Sequence, residues 1–202
     1  MSNQKVLRLL ENAQAILTNS HFLYTSGKHG SAYVNKDAVY KFPEYMRELG
    51  QEMAASVLKP EAVEVIVGPT MGGAILAQWV AQALLEKGIN GFKLAFAEEN
   101  PDKSRILKRG YDQLIPGKKV LVVEDILNTG ISAKRTIELI KSLGGDVVQL
   151  VAVCNRGAVT AETVGAPLTS LVDVKFEAWE AADCPLCKKG TPFNTNVGKA
   201  KK

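Results

Sequence analysis

The chain has 202 residues, 46% hydrophobic and 23% charged, which fits one soluble α/β domain with a small appendage and a sizeable core. Its net charge of +4 is local: Lys188, Lys189, Lys199, Lys201 and Lys202 fall in an acid-free stretch, and without them 20 basic residues face 21 acidic ones, about −1. That argues against a dedicated nucleic-acid groove. With no apolar run near ~20 residues, no signal layout around Glu11 and only three cysteines, a reducing, cytoplasmic setting without membrane attachment is expected.

In chain order, Val6, Leu9, Leu10, Ala13, Ile16 and Leu17 recur at helical spacing and predict one amphipathic helix over 3–17. The aromatic and polar stretch 21–43 alternates around Gly27–Gly30, which suggests two short antiparallel strands too small to fold alone. Pro43 opens a helix that buries Met46, Leu49, Met53 and Val57 and ends near Pro60. From Val63 the pattern becomes strand–helix alternation. Strands are expected at 63–67, 92–97, 118–124, 147–153 and 168–174, with helices ending at Gly88 and at Gly144. Such runs imply right-handed βαβ units and a parallel sheet with helices on both faces. Ligands of such sheets bind beyond the carboxyl ends of the strands. The charged segment 98–117 is long for a plain connection, so it is either solvated surface or a mobile lid, and beside an anion site the lid is the expectation.

The most informative stretch is Lys118 to Ser132, KKVLVVEDILNTGIS. A buried strand leads into Glu124 and Asp125, which are expected at its end. Asn128, Thr129, Gly130, Ile131 and Ser132 follow as a turn into a helix. Backbone N–H groups of such a turn and helix start can hold a phosphate, and two carboxylates one step earlier can accept hydrogen bonds from ribose hydroxyls. An isolated acid pair is often only a dipole partner at a helix entrance, and Asn, Thr and Ser are common caps. The full ordered string resembles the phosphoribosyl pyrophosphate (PRPP) signature of type I phosphoribosyltransferases: an apolar run, two acids, two apolar residues, then hydroxyls around a glycine. Here Glu124 stands for the commoner Asp, and Asn128 for a hydroxyl residue.

That resemblance implies a Rossmann-like parallel α/β sheet flanked by helices, with a small N-terminal hood. The expected division is 1–42 for the N-terminal helix and hood, 43–175 for the PRPP-binding core and 176–202 for a C-terminal extension. It assigns Pro69, Thr70, Met71, Gly72 and Gly73 to the pyrophosphate, since glycines let backbone N–H groups face one point. The layout Ser26, Gly27, Lys28, Tyr33, Val34, Asn35 is similar to the hood of orotate phosphoribosyltransferases, where such groups surround the base. Asn155-Arg156-Gly157 resembles their orotate-contacting arginine, and an arginine there can pair bidentately with the carboxylate of orotate. The tail 184–193 is similar to a compact, thermophile-type branch of that family. Departures from the family pattern are Gly72 in place of a lysine, Glu98-Glu99 in place of Arg-Lys, and Thr25 in place of another lysine. Lys103 or Arg105 would then supply the catalytic cation of the lid.

The resemblance further implies Mg²⁺ bound through PRPP, a nucleobase partner, and a homodimer in which the lid reaches the neighbouring site. Rival readings are a purine phosphoribosyltransferase for xanthine, hypoxanthine or adenine, and a non-catalytic PRPP-sensing regulator. A dehydrogenase or P-loop NTPase is excluded, because neither glycine fingerprint occurs. Cys184 and Cys187 make a lone CxxC, half of a zinc site. Cys154, His21 and His29 show no recognisable ligand spacing beside it, so no metal ligands are assigned.

Overall fold

The structure is a computed structural model that describes residues 3–24 and 26–197. Thr25 and the tail lysines 199, 201 and 202 lie outside the described residues. The chain divides into two compact units. One comprises residues up to Val6 with Pro43–Val174, the other Leu7–Phe42 with the described residues from Lys175 on.

The larger unit is built on six strands: β1 (Val65–Pro69), β2 (Lys93–Glu99), β3 (Arg105–Ile106), β4 (Lys119–Leu127), β5 (Asp146–Asn155) and β6 (Leu168–Asp173). Their order is β6-β5-β4-β1-β2-β3, parallel throughout except for the antiparallel β2–β3 pair. The expected strands are all present. Residues Val65, Val67, Val120, Val122, Leu150 and Ala152 pack in one cluster with Ala133, Ile137 and Ile140 of the helix Ile131–Ser142. Their alternates Ile66, Leu121, Val123 and Val151 are fully buried as well. A strand with both sets buried must be covered on two sides, which is why these runs are continuously apolar instead of alternating. The helix Gly72–Glu86 packs against β1 and β4, and Pro43–Ala55 packs against that helix.

Two expectations change. The first helix runs only from Gln4 to Asn12. Gln14 is left-handed at φ 54°, and Gln14 and Ala15 N–H groups donate back to the Glu11 and Leu10 carbonyls, a helix-ending pattern normally built on glycine. Ile16 and Leu17 therefore pair as strand with Val34 and Tyr33. Secondly, β4 does not end at the acid pair but continues to Leu127, carrying Glu124 and Asp125 inside its ladder. The segment 98–117 forms a hairpin. It turns back at Asn100–Ser104, pairs β3 with β2, buries Leu107 and closes with a 3-10 turn over Tyr111–Leu114. Tyr111 meets Phe96 edge-on, with ring centroids 5.0 Å apart.

In the smaller unit, Phe22–Leu23 and His29–Gly30 form the expected hairpin. A third strand, Ala178–Trp179, joins it from the C-terminal segment.

Candidate active site

The chain runs from β1 to β2 on one side of the sheet, then from β4 through β5 to β6 on the other. The strand order reverses between β1 and β4, so the crevice beyond their carboxyl ends is where this architecture binds ligands. The stretch 69–73 spans the end of β1, the link Thr70–Met71 and the first residues of the helix Gly72–Glu86, and 128–130 is the turn after β4; both belong to the stretches singled out from sequence.

The first loop is set by close approach. A Cβ on Gly73 would sit 2.6 Å from the Val123 carbonyl oxygen and 2.7 Å from Pro69 Cδ. The helix therefore starts against β4, its first N–H groups near the sheet end. Gly72 and Gly73 are buried, while Thr70 and Met71 are exposed and joined by a cis peptide bond. In the second turn Asn128 and Thr129 are exposed. Gly130, left-handed at φ 76°, hands the chain to the helix Ile131–Ser142.

Glu124 and Asp125 are each only 5% exposed. Ser132 Oγ donates to Glu124 Oε2 at 3.1 Å, and Arg105 Nη2 donates to Ser132 Oγ at 2.7 Å. Arg105 also lies 3.4 Å from Glu99 Oε2, and its side chain is 5% exposed. Its Nε and Nη1 are buried without an acceptor among the described residues. A buried guanidinium with spare donors beside a hydroxyl turn suits an anion with several oxygens. Lys103 goes elsewhere. Its Nζ is 2.8 Å from Glu99 Oε1 on the exposed surface, and this hydrogen bond is the main cause that holds the Glu99 carboxyl below its ordinary value, desolvation opposing it. Glu98 is likewise lowered, first by its hydrogen bond to Arg109 and then by Lys108.

Neighbouring strand residues project to opposite faces, so the two acids meet different surroundings. Glu124 faces Ser132. Asp125 acts electrostatically on Cys154 together with Arg156 and Asp173. Burial pushes the Cys154 thiol up to about 12, the nearby Arg156 opposing this, which removes it as a nucleophile at neutral pH. Arg156 N–H donates to the Leu127 carbonyl at 2.8 Å. Asn155 Nδ2 donates to the Val159 carbonyl at 2.8 Å, while its Oδ1 accepts from Val159 N–H at 3.0 Å. Gly157 backs directly onto Asn128, and any Cβ there would collide with the Asn128 carbonyl. The Asn155–Gly157 turn thus abuts the turn 128–130, a link that sequence spacing does not show.

The hood candidates lie in the smaller unit. Ser26, Gly27 and Lys28 form the exposed tip of the hairpin, with Lys28 Nζ 3.0 Å from Glu180 Oε1. Tyr33 and Val34 pair with Leu17 and Ile16, and the Asn35 N–H donates to the Ala15 carbonyl at 2.7 Å. Val34 is buried, whereas Tyr33 and Asn35 line a cavity of about 450 Å³ with Asp37, Lys41 and Asn196. Sequence spacing also missed a convergence in this unit: His21 and His29 meet Cys184 and Cys187. The signal that could have found it is two histidines, one just before a short strand and one in its hairpin partner, together with a distant CxxC.

The model of the phosphoribosyl transferase domain matches residues 35–181. The chain belongs to the phosphoribosyltransferase family. Among its relatives, a protein of Caldanaerobacter subterraneus subsp. tengcongensis named orotate phosphoribosyltransferase is 35% identical over 193 residues, 96% of each chain. The protein of that name from Thermotoga maritima is 38% identical over 187 residues, covering 93% of this chain and 94% of its own. In fold, the chain is similar to the crystal structure of orotate phosphoribosyltransferase from Aeropyrum pernix, with a TM-score of 0.65 at 20% identity, over 84% of this chain and 93% of that one. Adenine phosphoribosyltransferase from Trypanosoma brucei gives a TM-score of 0.57 at 12% identity, over 82% and 79%. Phosphoribosyltransferases with different bases in their names thus share this architecture, and the fold alone does not choose the base.

Proposed function

We propose that this phosphoribosyltransferase moves the phosphoribosyl group of PRPP to orotate, giving orotidine 5′-monophosphate and pyrophosphate in pyrimidine synthesis. The observation that carries the reading is the chain Arg105–Ser132–Glu124. It puts a buried cation, a hydroxyl turn at a helix start and a buried carboxylate in one contiguous arrangement at the switch point. Full-length identity to proteins named orotate phosphoribosyltransferase supports orotate over a purine.

In this reading the 5′-phosphate rests on Asn128–Ser132 and the helix start, with Arg105 adding charged donors. The ribose hydroxyls lie on Glu124 and Asp125. The pyrophosphate lies against 69–73, and Arg156 pairs with the carboxylate of the base. The C1′–O bond to pyrophosphate breaks as the N1–C1′ bond forms, pyrophosphate leaves with the bonding pair, and the N1 proton passes to solvent. Positive charge develops at C1′, and the fixed carboxylates stabilise it without moving. No covalent nucleophile is required.

The donor set fits a hard cation, since two buried carboxylates and a hydroxyl are oxygen ligands. Mg²⁺ held mainly by PRPP oxygens, and by Glu124 or Asp125 directly or through water, would offset the charge of the leaving pyrophosphate. The hairpin 98–117 acts as the lid that excludes water, and two copies of the chain form a homodimer across it in the cytoplasm.

The test is to incubate the protein with Mg²⁺ and PRPP and, separately, orotate, uracil, hypoxanthine, xanthine or adenine. Nucleotide and pyrophosphate are expected with orotate alone. A purine nucleotide would move the assignment to that base. PRPP binding with no product from any base would favour a sensing role.

A further inference from the structure

The smaller unit carries a second chemical cluster, which the phosphoribosyl reaction does not use. His21 bridges to Phe193, and His29 lies in the central strand of the three-stranded sheet. Cys184 and Cys187 bracket the first turn of the short helix Pro185–Lys188. One ligand atom from each of the four lies within 4.8 Å of the others. His21, His29 and Cys184 are 1%, 7% and 0% exposed, while Cys187 forms the open edge.

The spacing is that of a coordination sphere. His21 Nε2 is 3.3 Å from His29 Nδ1, 3.5 Å from Cys184 Sγ and 3.8 Å from Cys187 Sγ, and His29 Nδ1 is 3.2 Å from Cys187 Sγ. Tetrahedral zinc, with Zn–N about 2.0–2.1 Å and Zn–S about 2.3 Å, holds its ligand atoms about 3.3–3.8 Å apart.

Proton bookkeeping points the same way. His21 Nδ1 lies 2.8 Å from the Thr191 carbonyl oxygen, which can only accept, so Nδ1 carries the proton. In the neutral ring Nε2 then presents a lone pair to three polar neighbours at once. Hydrogen bonds alone would serve these four atoms poorly, whereas one cation serves all of them. The Thr191 contact is also the outer hydrogen bond that orients metal-bound imidazoles. Phe193 packs on both rings, with centroids 4.1 Å from His21 and 4.9 Å from His29, and gives the site an apolar wall.

We infer that His21, His29, Cys184 and Cys187 form a structural zinc site that fastens the C-terminal segment to the N-terminal hairpin. Two nitrogen and two sulfur donors at tetrahedral spacing select zinc over oxygen-seeking cations, and four protein ligands leave no open position for catalysis. The strands it ties are two residues long, too short to hold register unaided, and the cross-link joins positions more than a hundred and fifty residues apart. The inference does not depend on which base the enzyme uses.

The experiment uses the full chain without a histidine tag, grown in zinc-supplemented medium and purified under reduction without chelator. Elemental analysis should find about one zinc per chain. A mercurial that titrates the thiols should release it stoichiometrically. The Co²⁺-substituted protein should show the intense visible bands of a tetrahedral site and a thiolate charge-transfer band. Cys187→Ser at the exposed edge and His29→Ala should each lose the bound zinc. If these variants fail to fold, the wild-type cobalt spectrum decides alone. Background zinc together with two freely reactive thiols, or a Cys184–Cys187 disulfide in the reduced preparation, would overturn the site.

Discussion

Arg105 donates to Ser132 from a side chain only 5% exposed, and this bond joins the hairpin after β2 to the turn after β4. Ser132 passes the contact on to Glu124. A charged residue 27 positions upstream thereby reaches the start of the helix Ile131–Ser142. Charge-assisted hydrogen bonds are worth about 1.5–3 kcal/mol, so Arg105→Ala should lower kcat/KM for PRPP by roughly tenfold to a hundredfold. Arg105→Lys should recover little, because an ammonium cannot reproduce the fork. Lys103→Ala, removing an exposed pair with Glu99, should change the same constant less than about threefold. Steady-state kinetics on the three variants checks this, and a larger effect at Lys103 would reassign the cation.

The two acids should both matter, for different reasons. Glu124→Gln keeps an acceptor for Ser132 but loses the charge; Asp125→Asn removes the charge on the Arg156 side. Loss of one electrostatic stabiliser typically costs about 10²–10³ in kcat. Each variant should show that fall with its melting temperature changed by only a few degrees. Near-normal turnover in either would remove that carboxylate from the reaction.

Gly157 tests the link between the two turns. Its missing Cβ is the space that the Asn128 carbonyl occupies. Gly157→Ala must displace the turn 128–130, so KM for PRPP should rise while the strands of the core persist by circular dichroism. Gly73→Ala meets backbone and ring atoms at 2.6 and 2.7 Å and should cost about 1–3 kcal/mol of stability, read by denaturant unfolding. Unchanged KM in the first variant, or unchanged stability in the second, would contradict the packing described.

The acid limb of stability has a specific contributor. Lys5 Nζ is 2.9 Å from Glu52 Oε1, and Asn3 Nδ2 donates to Glu52 Oε2 at 2.7 Å. The Lys5 hydrogen bond is the main cause that holds the Glu52 carboxyl below its ordinary value of 4.5. A carboxyl lowered in the folded state stabilises it fully above the unfolded value, and that stability is lost as pH falls through the folded one. Glu52→Gln should therefore melt earlier than wild type at neutral pH, with the gap closing as pH drops below 4.5. Lys5, raised first by the same hydrogen bond, gives the mirror case: its contribution is present below 10.5 and fades as pH rises through its folded value. Melting curves against pH for both proteins check the sign.

The parallel sheet, the succession of strands and helices along the chain, and the two stretches at the strand ends are legible in residue pattern alone. Those features are written locally: in continuous apolar runs that need two covered faces, in Pro43 at a helix start, and in Gly130 where the backbone must turn left-handed. The end of the first helix is not written locally in this way. Gln14 takes the left-handed position without being glycine, so nothing local marked the stop. The folded chain alone reveals that β4 runs through the acid pair, that Arg105 and not Lys103 reaches Ser132, that Gly157 backs onto Asn128, and that two histidines meet a CxxC about a hundred and sixty residues away. Each of these depends on packing between segments far apart in the chain, where residue spacing carries no record of distance in space.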